Sequence, residues 1–337
     1  MRRNLWSRAK AAPLVSLIAL IAVFGFGAMA ALYAYAGVYG LNVVLRRGGT
    51  LWHATGPDDP ALSPSMRLAL RGDLPAVTAG PLAWRRVAEG FEVAELPVLL
   101  GGKAGDEVDR LLLTRVDPGR FRFEVHNRPA GDREPADWLR ALGAVFVING
   151  SYFGRKGEPD TPLKSRGAVL GPEEYDARHG AFVATDASAG VRDLAMESWR
   201  EVLKGASDAM VSYPLLIGAD GQPRVNANER WLANRSFVGE DRDGRIILGT
   251  TADAFFSLNR FAAFLRAAPL DLKLVLNLDG GPVACQGIAL NGYTRDFCGF
   301  GETAVHDGVV KRLASVIPGR RWGLAIVLVA MPRNMTP

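Results

Sequence analysis

The sequence predicts an α+β fold, with a mixed β-sheet core and flanking helices preceded by an N-terminal transmembrane helix. Three observations predict it. Residues 11–45 contain no charged side chain, short β-like runs follow from Phe91 onward, and a helical pattern lies between two of those runs. Because hairpins occur together with a strand-helix-strand unit, an α+β arrangement is favoured over regular βαβ alternation.

The N-terminal segment predicts a membrane span. Residues 1–10 carry four basic side chains and no acid, and the uncharged stretch 11–45 exceeds the roughly 20 residues that cross a bilayer. Positive charge before the span predicts a cytoplasmic N-terminus, with the remaining chain on the periplasmic or extracellular side of the cell membrane, although Arg46 and Arg47 oppose this bias. The segment Ala28-Met29-Ala30 also fits a signal-peptide cleavage site, so an anchor and a cleaved signal both remain open.

The composition of the chain after the predicted span changes near residue 90, which separates a linker from a folded domain. Residues 46–90 are rich in Pro, Gly, Ala and Arg and are predicted to form a linker or stalk with a short helix near residues 66–71. Residues 91–337 are predicted to form the folded domain. Its early elements are expected to be strands at 110–116, 120–126 and 144–149 and helices at 136–142 and 187–204.

Later elements follow clearer signals. The turn at 241–244 contains Asp-Gly between apolar runs, which predicts a hairpin over 235–251. Apolar residues at helical spacing predict a helix over 252–267. Strands are expected at 272–279 and 322–330, and the second is too short to cross a bilayer.

Composition and motifs exclude several classes of protein. The net charge of +5 owes much to the arginines flanking the span, and no basic-aromatic surface indicates nucleic-acid binding. The four histidines are scattered and no Cys-x-x-Cys occurs, so no metal site is predicted. The Gly-x-Ser-x-Gly and P-loop patterns are absent outright, and no cofactor is expected. Cys285 and Cys298 either form a disulfide in an oxidising compartment or remain two core thiols.

Three segments place polar residues beside strand ends. Strand alternation puts Asn277 and Asp279 on one face before the double glycine at 280–281. A second strand ends at Asn149-Gly150, and Arg235 opens the predicted hairpin. Each segment also fits an ordinary structural role: an Asp turn, an Asn-Gly turn with core aromatic residues, and a solvated arginine.

The order and form of these segments resemble the phosphodiester glycosidase family, which includes the lysosomal uncovering enzyme that removes N-acetylglucosamine from a phosphodiester. The resemblance rests on residues 149–153, 235–244 and 277–281, with lesser matches at 161–167, 213–216 and 290–292. It covers about residues 91–332.

The resemblance implies a glycoside hydrolase that cleaves the bond between a sugar and a phosphate. Asp279 is expected to be the principal catalytic carboxylate, Arg235 to bind phosphate and Glu240 to be the second carboxylate, although strand alternation puts Glu240 on the face opposite Arg235. The substrate-binding residues implied are Asn149, Gly150, Tyr152, Lys164, Tyr213, Asn277, Gly280 and Gly281. The expected partners are a carbohydrate or sugar-phosphate substrate and the membrane.

Two departures from the family pattern keep other functions open. Residues 282–284 are Pro-Val-Ala where the family commonly has a further glycine and serines, and Ser151-Tyr152 replaces the usual Gly-Phe. A non-catalytic carbohydrate-binding or assembly factor in exopolysaccharide synthesis or export is the alternative. A calcium-dependent binding module built on Asp241 and Asp243 is a third hypothesis.

Overall fold

The computed structural model describes residues 6–72, 74–102, 104–176, 179–225, 231–315, 317 and 319–333. These residues form the helices α1 (Trp6–Arg47), α2 (Pro64–Leu70), α3 (Pro135–Leu142), α4 (Trp199–Gly205) and α5 (Leu258–Ala267) and a 3₁₀ turn at Gly281–Val283. The first strands are β1 (Thr50–Thr55), β2 (Val77–Ala79), β3 (Arg85–Ala88), β4 (Phe91–Leu100), β5 (Asp106–Val116), β6 (Phe121–Asn127), β7 (Phe146–Asn149), β8 (Leu163–Ser165), β9 (Ala168–Leu170), β10 (Gly180–Ala184) and β11 (Ala189–Asp193). The later strands are β12 (Asp208–Ser212), β13 (Leu215–Ile217), β14 (Trp231–Ala233), β15 (Ser236–Asp241), β16 (Ile246–Thr251), β17 (Leu272–Asn277), β18 (Cys285–Leu290), β19 (Tyr293–Cys298), β20 (Glu302–His306), β21 (Val309–Ser315) and β22 (Ile326–Pro332).

The strands form four sheets, and the predicted α+β class is confirmed. One sheet has the order β13-β17-β15-β16-β5-β4-β2, with β3 also paired to β4, and a second has the order β19-β18-β7-β22-β6. The other two are β11-β10-β12-β8-β9 and β1-β21-β20-β14. Strand pairs in the described part of the chain are antiparallel, so hairpins dominate the architecture.

The main core lies between the first two sheets. Phe146 and Ile148 of β7 face Val238 of β15 and Leu276 of β17 within one buried cluster. Helix α5 covers the outer face of the first sheet, where Phe261 packs against Phe237. Helix α3 covers the outer face of the second sheet. Because β7 is buried on both faces, its residues are all apolar until the strand ends at Asn149.

Most elements lie where the sequence predicts them, with two differences. Residues 189–193 form strand β11 rather than part of the helix predicted over 187–204, because pairing with β10 buries Val191 against Phe182 in the core; the helix begins only at Trp199. Helix α5 begins at Leu258 rather than Ala252, since the Ser257 side chain accepts the Arg260 amide and caps the first turn.

The segment 46–90, predicted as a linker or stalk, contributes secondary structure to the sheets. Strand β1 pairs with β21 along its whole length, and β2 and β3 both pair with β4. Helix α2 begins with Ser63 accepting the Met66 amide, and Met66 is buried against Leu62 and Ala254. A Pro- and Gly-rich composition indicates irregular backbone, but it does not exclude short edge strands.

Helix α1 has an exposed half and a docked half. Residues Val15–Arg46 are long and apolar enough to cross a membrane, and most side chains from Val15 to Tyr35 are exposed. The backbone kinks at Gly37, where φ is 60°. Beyond the kink, Tyr39 and Val43 are buried against Ala325, and the Tyr39 ring meets the Phe153 ring edge-on at 5.1 Å.

A disulfide joins Cys285 and Cys298, which are directly opposite each other in the β18–β19 register. The first alternative for these cysteines is therefore confirmed. The bond fixes the start of the segment that leads from Cys298 to Gly299 and Gly301, and both glycines pack against Asn234.

Replacing both cysteines by serine is expected to lower the free energy of unfolding by about 2–3 kcal/mol, because the cross-link closes a loop and restricts the unfolded chain. Urea unfolding of the full chain in a mild detergent, followed by tryptophan fluorescence, measures the change. Treating the native chain with reductant should lower its unfolding midpoint toward that of the double variant. Equal midpoints for the oxidised native chain and the variant would contradict a stabilising disulfide.

Candidate active site

Two strand ends meet where β7 and β17 finish. Asn149 closes β7, and Asn277 closes β17 two residues before Asp279. Asn149 Nδ2 donates to the Asp279 carbonyl at 2.8 Å, and the Asp279 amide donates to the Gly150 carbonyl at 3.0 Å. A Cβ on Gly150 would lie 2.4 Å from Ile326 Cγ2, so this position requires glycine. These contacts hold the predicted segments 149–153 and 277–281 side by side.

Two stacked tyrosines lie over the end of β17. Asn277 Nδ2 donates to Tyr152 Oη at 2.8 Å and to the Tyr213 carbonyl at 3.1 Å. The Tyr152 and Tyr213 rings stack with centroids 4.4 Å apart and planes 21° from parallel. Burial raises the pKa of Tyr152, so its hydroxyl keeps its proton and is a hydrogen-bond donor. Because both rings are half-buried, they offer an aromatic wall beside the strand ends.

Asp279 has the electrostatics of a strongly perturbed carboxyl. Burial, together with the negative charges of Glu302 and Asp160, raises its pKa to about 8, although the Gly280 amide and Arg235 favour the charged form. The Gly280 amide donates to Asp279 Oδ1 at 2.8 Å. A carboxyl with such a pKa carries a proton at neutral pH. Perturbed groups of this kind cluster at functional sites.

Arg235 is a buried cation, and backbone carbonyls accept hydrogen bonds from two of its three guanidinium nitrogens. Its Nε donates to the Phe256 carbonyl at 3.1 Å and its Nη2 to the Trp231 carbonyl at 2.6 Å. A Cβ on Gly280 would lie 3.7 Å from Nη1, and Nη1 makes no hydrogen bond to any residue that the structure describes. Burial lowers the pKa of Arg235, which nevertheless stays charged near neutrality. The guanidinium therefore presents one nitrogen beside the Asp279-Gly280 turn.

Two carboxylates near Asp279 are absent from the sequence prediction. Glu302 Oε1 accepts the Trp231 indole N–H at 2.9 Å, while a Cβ on Gly281 would lie 2.4 Å from its Oε2. Burial raises the pKa of Glu302, and burial followed by the charge of Glu158 raises that of Asp160. The signal in the sequence is weak, since Glu302 only follows Gly301 and opens an ordinary strand.

Two predicted site residues lie elsewhere. Lys164 Nζ donates to the carbonyls of Leu203 and Lys204 at 2.9 and 3.3 Å, at the C-terminal end of α4. A cation is favourable there because the last carbonyls of a helix carry partial negative charge. Glu240 accepts the Val191 amide at 3.2 Å and pairs with Lys273 at 3.1 Å. Described contacts join neither residue to Asp279 or Arg235.

The two acidic residues of the hairpin turn, Asp241 and Asp243, bond to other residues of the same turn. Asp241 is buried, accepts the amides of Asp243 and Arg245, and pairs with the Arg245 guanidinium at 2.8 Å. Arg245 also pairs with Asp243 at 2.7 Å. Among the described residues, no group of three or more His, Cys, Asp or Glu is arranged to hold a metal ion. Asp241 and Asp243, the two residues on which the calcium hypothesis rests, therefore stabilise the hairpin turn instead.

The profile of the phosphodiester glycosidase family matches residues 142–311, which is half of the chain. The chain belongs to the phosphodiester glycosidase family. The predicted resemblance is thereby confirmed, and the matched region holds all three predicted segments together with Asp160 and Glu302. A comparison with curated proteins finds no match.

Two solved structures match this chain. The catalytic domain of zebrafish N-acetylglucosamine-1-phosphodiester alpha-N-acetylglucosaminidase, auto-inhibited by its pro-peptide, is 16% identical with a TM-score of 0.49, and the match covers 84% of this chain and 88% of that one. A hypothetical protein from Synechocystis is 14% identical with a TM-score of 0.45, and the match covers 75% and 64% of the two chains.

Asn234 connects the parts of this site, and its loss is expected to destabilise the fold. Its Oδ1 accepts the Phe300 and Gly301 amides, its Nδ2 donates to the Thr251 carbonyl, and its own carbonyl accepts the Gly281 amide. Asn234→Ala leaves buried donors unpaired and should cost about 2–4 kcal/mol of unfolding free energy.

Denaturant unfolding of the full chain in detergent checks this expectation. Gln222→Ala removes an exposed amide and serves as the matched control, with a change within about 0.5 kcal/mol expected. If Asn234→Ala were as mild as the control, the network around Arg235 would not depend on this amide.

Proposed function

We propose that this protein is a membrane-anchored, exported glycosidase that hydrolyses the bond between an anomeric sugar carbon and a phosphate oxygen in an envelope or extracellular glycan. The observation that carries the proposal is the pairing of a proton-bearing carboxyl, Asp279, with a buried arginine whose Nη1 faces the same turn. Family membership supports the reaction class.

Arg235 is the phosphate-binding residue of the proposed site. Its Nε and Nη2 are already used by backbone carbonyls, so the guanidinium is fixed and only Nη1 remains for the ligand. A fixed, buried cation stabilises charge that develops on the departing phosphate without reorganising first. Gly280 gives the phosphate room to approach, since a side chain there would stand in front of Nη1.

Asp279 is the proposed general acid. Because its pKa is raised to about 8, it holds a proton at neutral pH and donates it to the phosphate oxygen as the anomeric carbon–oxygen bond breaks. The second pKa of a phosphate monoester is about 6, so the departing group needs only partial protonation. The carbonyl of the same residue is held by Asn149, which fixes the carboxyl relative to β7.

Glu302 is the proposed second carboxylate, in place of Glu240. It takes the proton of the water whose oxygen joins the anomeric carbon, so the products are the free sugar and a phosphate monoester. Its Oε1 is oriented by the Trp231 indole, and its Oε2 lies against Gly281. Tyr152 and Tyr213 supply the stacked wall for the sugar, and Asn277 fixes the Tyr152 hydroxyl.

Export and anchoring rest on α1. Its exposed, apolar N-terminal half is long enough to cross a bilayer, and its C-terminal half is buried against the domain. A signal peptidase cut after Ala30 would leave the docked residues 36–47 attached, so the docking fits either alternative. We propose a retained anchor, which keeps the site close to envelope glycans.

The test of catalysis compares the full chain with Asp279→Asn on a panel of sugar-1-phosphodiesters. Turnover on at least one member is expected, with a loss of about 10²–10⁴-fold in the variant, the usual contribution of a general acid. Glu240→Gln is the matched control and should retain turnover, since Glu240 bonds to Val191 and Lys273. Saturable glycan binding without turnover on any member would favour the non-catalytic binding protein instead.

The pH profile gives an independent check on the role of Asp279. Turnover is expected to fall as pH rises through about 8, because the carboxyl then loses the proton that it donates. The residual turnover of Asp279→Asn should not show this decrease with rising pH. A rate that rises through the same range in the native chain would show that Asp279 acts as a base or nucleophile.

Asp279→Asn is also expected to stabilise the fold near neutral pH. The folded-state pKa lies above the ordinary value of 3.8, so the stability contributed by the Asp279 carboxyl is lost as pH rises from about 4 to about 8. An amide has no such dependence, and the gap between variant and native chain should widen over that range. Unfolding midpoints at pH 5 and pH 8 measure it, and a variant less stable at pH 8 would contradict the raised pKa.

A further inference from the structure

A cavity lies on the other side of the turn that carries Asp279. It has a volume of about 470 Å³, and its walls include Pro282 and Gly299, which flank the site. A Cβ on Gly299 would lie 2.7 Å from the Gly281 carbonyl oxygen, so one layer of backbone separates the cavity from the turn. None of the residues described above for the glycosidase reaction lines it.

The cavity is basic. Arg312, Arg320 and Arg321 line it, and no acidic residue does so among the lining residues that the structure describes. Arg321 is engaged by Asp296 at 2.7 Å, whereas Arg312 and Arg320 make no hydrogen bond to a described residue. The arrangement fits a phosphate group, which arginine binds with two parallel hydrogen bonds.

The cavity adjoins the docked half of α1. Thr50 lines it and lies three residues after the end of the helix at Arg47. Trp322 also lines it and packs in the cluster that buries Tyr39 and Val43 of the helix. The cavity therefore lies beside the docked half of α1, which continues from the exposed half of the helix.

Exposed apolar side chains lie at the cavity or next to its lining residues in the sequence. Phe300 lines the cavity and exposes 62% of its surface, while Leu51, which follows Thr50, and Ile317, two residues after Ser315, expose 52% and 40%. Large apolar residues next to arginines at the end of a membrane-spanning helix are typical of the bilayer interface, where apolar groups enter the headgroup region and cations meet phosphates. Charge and apolar exposure thus indicate the same occupant.

We propose that this cavity binds the phosphate headgroup of an anionic lipid in the bilayer that α1 crosses. The bound lipid holds the domain against the membrane, with the Asp279 turn one backbone layer away from the headgroup plane. The inference rests on the proposed retention of α1 as an anchor and is independent of whether the site hydrolyses a phosphodiester.

The test counts lipids bound to the full chain by native mass spectrometry from a neutral detergent. Short-chain phosphatidylglycerol should bind saturably, and phosphatidylcholine of the same chain length should bind about tenfold or more weakly, since it carries no net negative charge. Arg312→Gln/Arg320→Gln should weaken phosphatidylglycerol binding by a similar factor. The matched control is Arg86→Gln/Arg266→Gln, which removes the same charge from exposed positions elsewhere and should leave binding unchanged.

Three results would overturn the proposal: equal binding of the two lipids, binding unaffected by the Arg312/Arg320 variant, or displacement of the lipid by inorganic phosphate at equal concentration. The last result would assign the cavity to a soluble anion. Turnover of a soluble sugar-1-phosphodiester in detergent should be the same in the Arg312/Arg320 variant and the native chain. Loss of lipid binding and loss of glycosidase activity are therefore separate readouts.

Discussion

The rest of the site depends on the hydrogen bonds between the end of β7 and the turn after β17. The Asp279 amide and carbonyl are bonded to Gly150 and Asn149 respectively, so the backbone of the candidate acid is held on both sides. β7 and β17 belong to different sheets, and their side chains meet in the main core. The position of Asp279 is thus set by how the two sheets pack, and a shift of either sheet would displace its carboxyl relative to Arg235.

The buried charges around this turn oppose stability and serve function. An arginine and carboxyl groups withdrawn from water cost free energy, and carbonyls, an indole N–H and backbone amides only partly offset that cost. Burial acts in opposite directions on the two kinds of group, raising the pKa of Asp279 and Glu302 and lowering that of Arg235. A phosphodiester entering beside Arg235 would supply the missing counter-charge. The buried arginine beside the Asp279 turn is therefore suited to an anionic substrate.

The sequence predicts what local patterns determine. Strands that end in Asn149 and Asn277 were recognisable because apolar runs stop there, and the hairpin over 235–251 follows from its Asp-Gly turn. Strand alternation puts Glu240 on the face opposite Arg235, and in the structure its side chain bonds to Val191 and Lys273. Such local patterns do not predict that Lys164 lies away from Asp279 or that Glu302 lies near it. Whether a residue reaches Asp279 depends on how separate sheets pack, and β8 and β20 lie in sheets whose placement no local period encodes.

The docked half of helix α1 is structurally connected to the site. Tyr39 packs on Ala325 and on Phe153, and Phe153 immediately follows Tyr152 of the stacked pair. The next residue after Ala325 is Ile326, whose carbonyl accepts the Gly150 amide, and the Gly150 carbonyl accepts the Asp279 amide. Two backbone hydrogen bonds therefore lead from the residue beside the helix contact to the candidate acid. Because backbone bonds of this kind tolerate little displacement, the candidate acid is held in a fixed position relative to the docked half of α1.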